Sequence, residues 1–443
     1  MRVLWLCNIM LPAIAGELGL PYSNREGWLT GLYERICMEN NADKKNVDKG
    51  NDDKNSVIEL GICFPVEDVS DINCEEKGRF RLKGTNTICY PFDENLATPE
   101  IYDASMEIRF KEILDDFRPD MVHIFGTEFP HTLAMTRAFD RPERILVGIQ
   151  GLCFACADSY MADLPEKVIN RRTFRDRIRK DSIRQQQEKF RIRGEREKEA
   201  LGNILHITGR TDFDRRETEK VNEKAEYHFM HETMRSPFYD GRWEAKKSVP
   251  YSIFLSQGDY PLKGFHYVLQ AMPRILEDYP EAVVYVAGNS VIDHKTLKDK
   301  IKLSSYGRYL LELIKIKHLE DHVKVLGRLS AEEMKEQFLK SSLFLCPSSL
   351  ENSPNSMGEA MLLGVPVVAA DTGGIPSMIA EEEEGLLYEA GNVDRLAEAV
   401  MRVWKEPEET VRRTEKARIR AFRAHNGGRN YKRLLEIYKE ILA

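Results

Sequence analysis

The chain has 443 residues, 42% of them hydrophobic and 31% charged, with a formal net charge of −7; this is material for more than one core and suggests two or three domains. The acidic balance excludes the basic footprint of a nucleic-acid-binding protein, and no apolar run reaches the roughly 18 residues a membrane-spanning helix needs. The eight cysteines are scattered, several inside apolar runs such as those around Cys7 and Cys346, which reads as thiol usage in a reducing, cytoplasmic compartment and not as a disulfide framework.

In chain order, the opening MRVLWLCNIMLP predicts a buried strand, Val3–Cys7; its apolar part is too short for a leader and no small-residue cleavage site follows. A loop with Gly16, Gly19 and Gly27 precedes a helical pattern over Trp28–Met38, and the polar run Glu39–Ser56 reads as a mobile insert. Strands are predicted at Val57–Cys63, Met121–Phe125, Ile145–Ile149 and Ile204–Thr208, with a helical pattern over Tyr102–Phe117. Cys153 and Cys156 form one C-x-x-C without a second ligand pair at metal spacing, so they read as buried thiols. Lys167–Glu199 holds thirteen Lys or Arg against six Asp or Glu, with Val168, Ile169, Phe174, Ile178, Ile183 and Phe190 interleaved. Two readings stand for it: a solvated basic helix, or a surface that docks on an anionic membrane or a lipid-diphosphate acceptor.

Periodicity stops over Pro237–Val249 and resumes with strands at Ser252–Ser256, Ala282–Ala287, Val323–Leu326, Leu343–Cys346 and Val365–Ala369. Apolar strands separated by helices mean parallel sheets covered on both faces. The predicted class is therefore α/β, with two doubly wound, Rossmann-like domains over 1–245 and 246–427. A terminal helix over 428–443 carries Tyr431, Leu434, Leu435, Tyr438 and Ile441 on one apolar face and is expected to pack back on the first domain. Ligands in such folds bind at the carboxyl ends of the strands.

The most informative stretch is Pro347–Asp371, PSSLENSPNSMGEAMLLGVPVVAAD. A strand leads into a polar loop, Glu351 to Ser356, then a helix over Met357–Leu363 that Gly364 stops. Ser356 or Asn355 is the candidate N-cap. A helix starting at a strand's carboxyl end offers N–H groups and a dipole that favour a phosphate. Glu351 and Glu359 are poor phosphate ligands but good acceptors for sugar and ribose hydroxyls. Two further loops support this: Tyr251–Gly264, in which Lys263-Gly264 opens a helix and the lysine can reach phosphate oxygens, and Asp371–Pro376, whose paired glycines admit close approach of the backbone.

Taken together these residues resemble the family 4 retaining glycosyltransferases of bacterial polysaccharide and glycolipid synthesis, over about the last 190 residues. The features that carry the resemblance are Lys263-Gly264, the strand-Gly-Arg step Val325–Arg328, the seven-residue interval between Glu351 and Glu359, and the run GVPVVAADTGGIP. The resemblance implies the GT-B fold, two Rossmann-like domains facing a deep cleft, and a metal-independent transfer that keeps the anomeric configuration. It implies a nucleotide diphosphate sugar of UDP or GDP type as donor, no further cofactor, and a glycan or lipid-linked acceptor on the first domain. Glu359 would bind ribose hydroxyls and Glu351 the donor sugar. Lys263 and the amides of Ser353, Asn355, Ser356 and Met357 would hold the diphosphate, and the base would rest near Gly327 and Arg328. The family's arginine five residues before the lysine is replaced here by Gly258, and Arg210, after a predicted strand, is the candidate substitute, with a surface turn as its alternative. Among His123, Glu128 and His131, which follow a strand end, His131 is preferred as the family's active-site histidine. Other readings are a nucleotide-sugar epimerase of the same architecture, which would need no acceptor, and an inactive partner subunit, which would bind no donor alone.

Overall fold

The structure is a computed structural model that describes residues 1–20, 27–47, 58–74, 78–292, 296 and 301–443, with the side chains of 27, 28 and 41–47 left aside. It divides into two compact units. One comprises Met1–Phe154, Arg191–Arg235 and His425–Ala443; the other comprises Ala155–Phe190 and Ser236–Ala424.

The first unit is built on β1 (Arg2–Leu6), β2 (Glu59–Val66), β3 (Phe80–Arg81), β4 (Ile88–Asp93), β5 (Met121–Phe125), β6 (Ile145–Gly148), β7 (His206–Gly209) and β8 (Glu226–Phe229), in the order β3-β4-β2-β1-β5-β6-β7-β8. Every pairing is parallel except β3 with β4. β1 and β5 are buried along nearly their whole length, as strands of a parallel sheet covered on both faces are. Chain direction across the sheet reverses between β1 and β5, which makes their carboxyl ends the topological switch point. The terminal helix Gly427–Leu442 belongs to this unit: the Tyr438 hydroxyl accepts a 2.9 Å hydrogen bond from Trp5 Nε1 and meets His123 Nδ1 at 2.7 Å.

The second unit carries β9 (Val249–Leu255), β10 (Val283–Ala287), β11 (Val323–Gly327), β12 (Ser341–Cys346), β13 (Val367–Asp371) and β14 (Leu386–Glu389). Their order, β11-β10-β9-β12-β13-β14, is wholly parallel and is the doubly wound nucleotide-binding order, with the switch point between β9 and β12.

Several expectations need correction. β4, β8 and β14 were not anticipated: β4 (ICYPFD) contains Pro91, and β8 (EYHF) has one fully buried residue among its four. The polar run taken as a mobile insert is in part helix, since Gly27–Val47 is continuous. Arg35 pairs with Glu39 at 2.5 Å, and the Asn40 amide exchanges hydrogen bonds with the backbone of Ile58, which fastens the helix to the start of β2; residues 48–56 lie outside the described residues. Gly16 lies in a short helix, Pro12–Leu18, that Gly19 ends at φ 67°, so the glycine loop before Trp28 is partly helical.

Residues 155–190, assigned by sequence to the first domain, pack in the second unit. Tyr160, Leu164, Val168, Ile169 and Ile183 join its core, and His266 Nε2 meets the Ala162 carbonyl at 2.8 Å. The basic span accordingly breaks into helices Glu166–Ile169, Phe174–Arg179 and Ile183–Gly202 instead of forming one solvated helix. Among the described residues no helix is long and apolar enough to cross a membrane, and none of the eight cysteines is in a disulfide.

Candidate functional site

At the switch point of the second unit, β9 and β12 deliver their loops side by side. The turn after β9 runs through Pro261–Lys263 to Gly264, which has φ 68° and opens helix Phe265–Asp278. A Cβ on Gly264 would collide with the Pro347 carbonyl oxygen, so glycine is what lets the two loops touch. Ser349 N donates to the Leu262 carbonyl at 2.9 Å and fixes that contact. The second glycine loop closes on the same place: Gly373, φ 53°, lies against the Glu351 carbonyl, which accepts from Gly374 N at 3.0 Å, and Thr372 Oγ1 donates to the Ser349 carbonyl at 2.9 Å.

These constraints bring Lys263 Nζ to 2.6 Å from Glu351 Oε1, with the Ser348 hydroxyl donating to the same oxygen at 2.7 Å. Burial works to lower the Lys263 pKa, but the Glu351 carboxylate outweighs it and holds the ammonium well above its ordinary value. Burial pushes the neighbouring Tyr260 phenol up to about 12 and the Cys346 thiol up to about 12. The site therefore presents one firmly charged cation beside one carboxylate.

Helix Asn355–Leu363 begins directly after this loop. Its N-cap is Pro354, not Asn355 or Ser356; proline's side chain offers no acceptor, so nothing on the cap residue covers the first N–H groups. Ser353 and Met357 are buried and Asn355 and Ser356 half-buried around that first turn. Glu359, one turn further, is a buried carboxylate at 4% exposure. Gly364, φ 73°, ends the helix with its N–H on the Ala360 and Met361 carbonyls.

At the carboxyl ends of β9, β10 and β11, Arg328 Nε donates to Asn289 Oδ1 at 2.7 Å, and Asn289 Nδ2 donates to Asp259 Oδ2 at 2.8 Å. Gly327 ends β11 at φ 76° with open space where a Cβ would be. Gly258, where the family pattern has arginine, is buried, and a Cβ there would stand 2.8 Å from Val286 Cγ2 and 3.2 Å from Phe265 Cβ. The packing of Val286 and Phe265 is thus fitted to a residue without a side chain. Ser348, Asn289 and Asp259 were missed in the sequence because polar residues in short loops carry no spacing signal until their partners are known.

The remaining candidates sit in the first unit. His131 is fully buried at that unit's switch point, its Nδ1 2.7 Å from Glu94 Oε2 and its Nε2 2.9 Å from Asn8 Oδ1; Asn8 Nδ2 in turn donates to Glu128 Oε2 at 3.1 Å. Asn8 follows β1, Glu94 follows β4, and Glu128 follows β5, so three strand ends converge on one polar chain. Glu94 was invisible because β4 was not anticipated. Burial raises the Glu128 carboxyl above its ordinary range and pushes Glu197, held by Thr127 Oγ1 and Phe154 N, up to about 8. His123 is a core residue inside β5, with burial driving its pKa down to about 3. Arg210 is 5% exposed and ion-paired with Glu232, which also accepts from Gln150 Nε2 at 2.8 Å. It is not a surface turn residue.

Residues 238–420 match the family model for glycosyl transferases group 1. The amylovoran biosynthesis glycosyltransferase AmsK of Erwinia amylovora is 31% identical over 129 residues, 28% of this chain and 32% of that protein; curated relatives are matched over less than half of their own length. Among solved structures, sucrose-phosphate synthase from Thermosynechococcus elongatus aligns over 100% of this chain and 99% of that one, with a TM-score of 0.66 and 14% identity. HepE of Anabaena in complex with UDP aligns over 99% and 100%, with a TM-score of 0.61 and 12% identity. At such identities these likenesses establish the fold, GT-B, and no more.

Proposed function

We propose, on the premise that residues 238–420 belong to the glycosyl transferases group 1, that this chain is a retaining glycosyltransferase. It moves a sugar from a nucleotide diphosphate to a glycan or lipid-linked acceptor. The observation that carries the reading is the Lys263–Glu351 pair, held by Gly264 and Gly373 at the switch point of a nucleotide-binding sheet. In this reading the diphosphate lies on the N-terminal turn around Ser353, Asn355, Ser356 and Met357 and draws Lys263 toward its oxygens. Glu359 accepts from the ribose hydroxyls, Glu351 from the donor sugar, and the base rests near Gly327 and Arg328, where a Cβ on Gly327 would meet only open space.

The bond from the anomeric carbon to the β-phosphate oxygen breaks while the acceptor oxygen bonds to that carbon on the same face. The acceptor proton passes to the leaving diphosphate. The protein's contribution is positioning and stabilisation of the growing negative charge, by a lysine and a helix terminus and without a metal. Acceptor recognition falls to the first unit, where His131 and Glu128 close its switch point. Arg210 would serve the diphosphate only by leaving Glu232.

Contact with an anionic membrane is assigned to Phe174–Arg179. Phe174 and Ile178, 64% and 65% exposed, lie one turn apart, with Arg172, Arg177, Arg179 and Lys180 exposed around them. Arg171 is turned to Glu312, and Arg175 to Asp181. HepE was crystallised with UDP, which favours testing uridine donors first.

The deciding experiment is calorimetry with UDP and GDP, followed by donor turnover with and without candidate acceptors. Tight binding of one nucleoside diphosphate and acceptor-dependent release of it are expected. Absence of binding to either would sink the reading. Sedimentation with anionic but not zwitterionic vesicles, fading with salt, tests the membrane assignment; binding retained in Phe174→Ser/Ile178→Ser would refute it.

A further inference from the structure

The sequence motifs left one histidine pair unexplained. β7 and β8 pair in parallel with His206 opposite Glu226 and Thr208 opposite His228. Because side chains alternate along a strand, His206, Glu226 and His228 all stand on one face of this sheet edge. His206 Nδ1 lies 3.0 Å from His228 Nε2 and 3.8 Å from Glu226 Oε2, and the three candidate ligand atoms all fall within 4.8 Å of one another.

His206 Nδ1 and His228 Nε2 are the ring atoms turned toward each other. His228 Nδ1 faces Glu440 Oε2 at 3.3 Å, from the terminal helix. A neutral imidazole has a single N–H. With the His228 N–H directed at Glu440, its Nε2 lone pair faces His206 Nδ1 across 3.0 Å beside a carboxylate. In the metal-free pair an N–H on His206 Nδ1 bridges that gap; the other His206 tautomer turns a second lone pair to the same point, where a cation can sit between the two.

We propose that His206, His228 and Glu226 form a binding site for a divalent transition metal of the zinc class, which ties β7 to β8. Two imidazoles and one carboxylate are a ligand set that zinc takes, with a fourth position for water. Two nitrogens bound to one tetrahedral zinc sit about 3.3 Å apart, given Zn–N bonds near 2.0–2.1 Å, and the observed separation is within a few tenths of that. The Glu440 carboxylate behind the His228 ring is the kind of outer partner that fixes tautomer and orientation in metal sites. Glu226 is 66% exposed, so it provides the entry side and can swing onto an ion held by the two rings. None of these residues belongs to the proposed donor site, and the transfer step does not involve the metal.

The test uses the full chain after dialysis against a chelator. Titration with Zn²⁺ against a chromophoric competitor should give one tight equivalent, Co²⁺ should give the visible absorption of a four-coordinate ion, and Zn²⁺ should raise the Tm. His228 is 2% exposed and its replacement risks the fold, so Glu226→Gln carries the argument: metal affinity should drop at least about tenfold with the metal-free Tm unchanged. Glu440→Gln should cost about 10–100-fold. If the wild-type chain takes up neither ion in stoichiometric amount, or if Glu226→Gln binds as tightly as wild type, the pair shares a proton and the proposal is overturned.

Discussion

Gly264→Ala is the sharpest probe of the candidate donor site, because it adds one methyl group and touches no functional side chain. Two costs can be separated. The first is conformational: at φ 68° an L-residue loses about 1–2 kcal/mol. The second is steric: the new Cβ would fall more than about 1 Å inside the 3.0 Å closest approach to the Pro347 carbonyl. That neighbour is backbone, so no rotamer change relieves the clash. Either the turn after β9 or the loop after β12 must retreat, which stretches the Ser349–Leu262 hydrogen bond of 2.9 Å and pulls Lys263 from Glu351. Misplacement of this size at a reacting centre costs about 10²-fold in rate. The expected result is a kcat/KM for donor turnover down about 10²-fold, with strain lowering the Tm by about 2–4 °C per kcal/mol. Gly84→Ala is the control: its φ is 74° and nothing lies within 4 Å of its Cβ position, so it carries the conformational cost alone. Steady-state kinetics and calorimetric scans on both variants decide the matter. If Gly264→Ala loses no more stability and no more activity than Gly84→Ala, the two loops are not held together as argued.

Glu359→Ala should weaken nucleoside diphosphate binding by about 1.5–3 kcal/mol, whereas Glu351→Gln should leave that affinity nearly unchanged and cut turnover; calorimetry and kinetics that fail to split this way would reverse or cancel the two assignments. Arg210→Ala should destabilise the chain by about 3–5 kcal/mol, since it strands the Glu232 carboxylate in a pair whose side chains are only 4% and 6% exposed; a normal melt with a raised donor KM would move Arg210 to the diphosphate. Glu197, with burial raising its pKa from an ordinary 4.5 to about 8, contributes stability that is full below about pH 4.5 and is lost as pH rises through about 8. Glu197→Gln should therefore flatten the fall in Tm across that window, and parallel pH curves for the two proteins would remove the carboxyl from the account.

Periodicity and loop chemistry in the sequence determined the α/β class and two parallel sheets, and they singled out the stretch Pro347–Asp371 and Lys263, which the fold brings together at one switch point. Buried parallel strands must be continuous apolar runs, and a helix that opens at a strand end must be preceded by a polar loop. Those requirements are local, so one sequence displays them. The edges were harder: β4 runs continuously through Pro91, a residue that in sequence argues against a strand, and β8, at the sheet edge, is half-polar because an edge strand need not be apolar on both faces. Partnership was decided only by the tertiary structure. Val168, Ile169 and Ile183 look in sequence like the apolar face of a basic helix, yet they are core of the second unit, and only Phe174 and Ile178 stay on its surface. Arg210 stands in a turn that a ligand could claim, and Glu232, 22 residues on, claims it. His131 is one histidine among ten until β1, β4 and β5 bring Asn8, Glu94 and Glu128 to it. His206 and His228 become a pair only because β7 and β8 align in register. A charge or a lone pair acquires its meaning from what faces it across space, and the fold alone sets that.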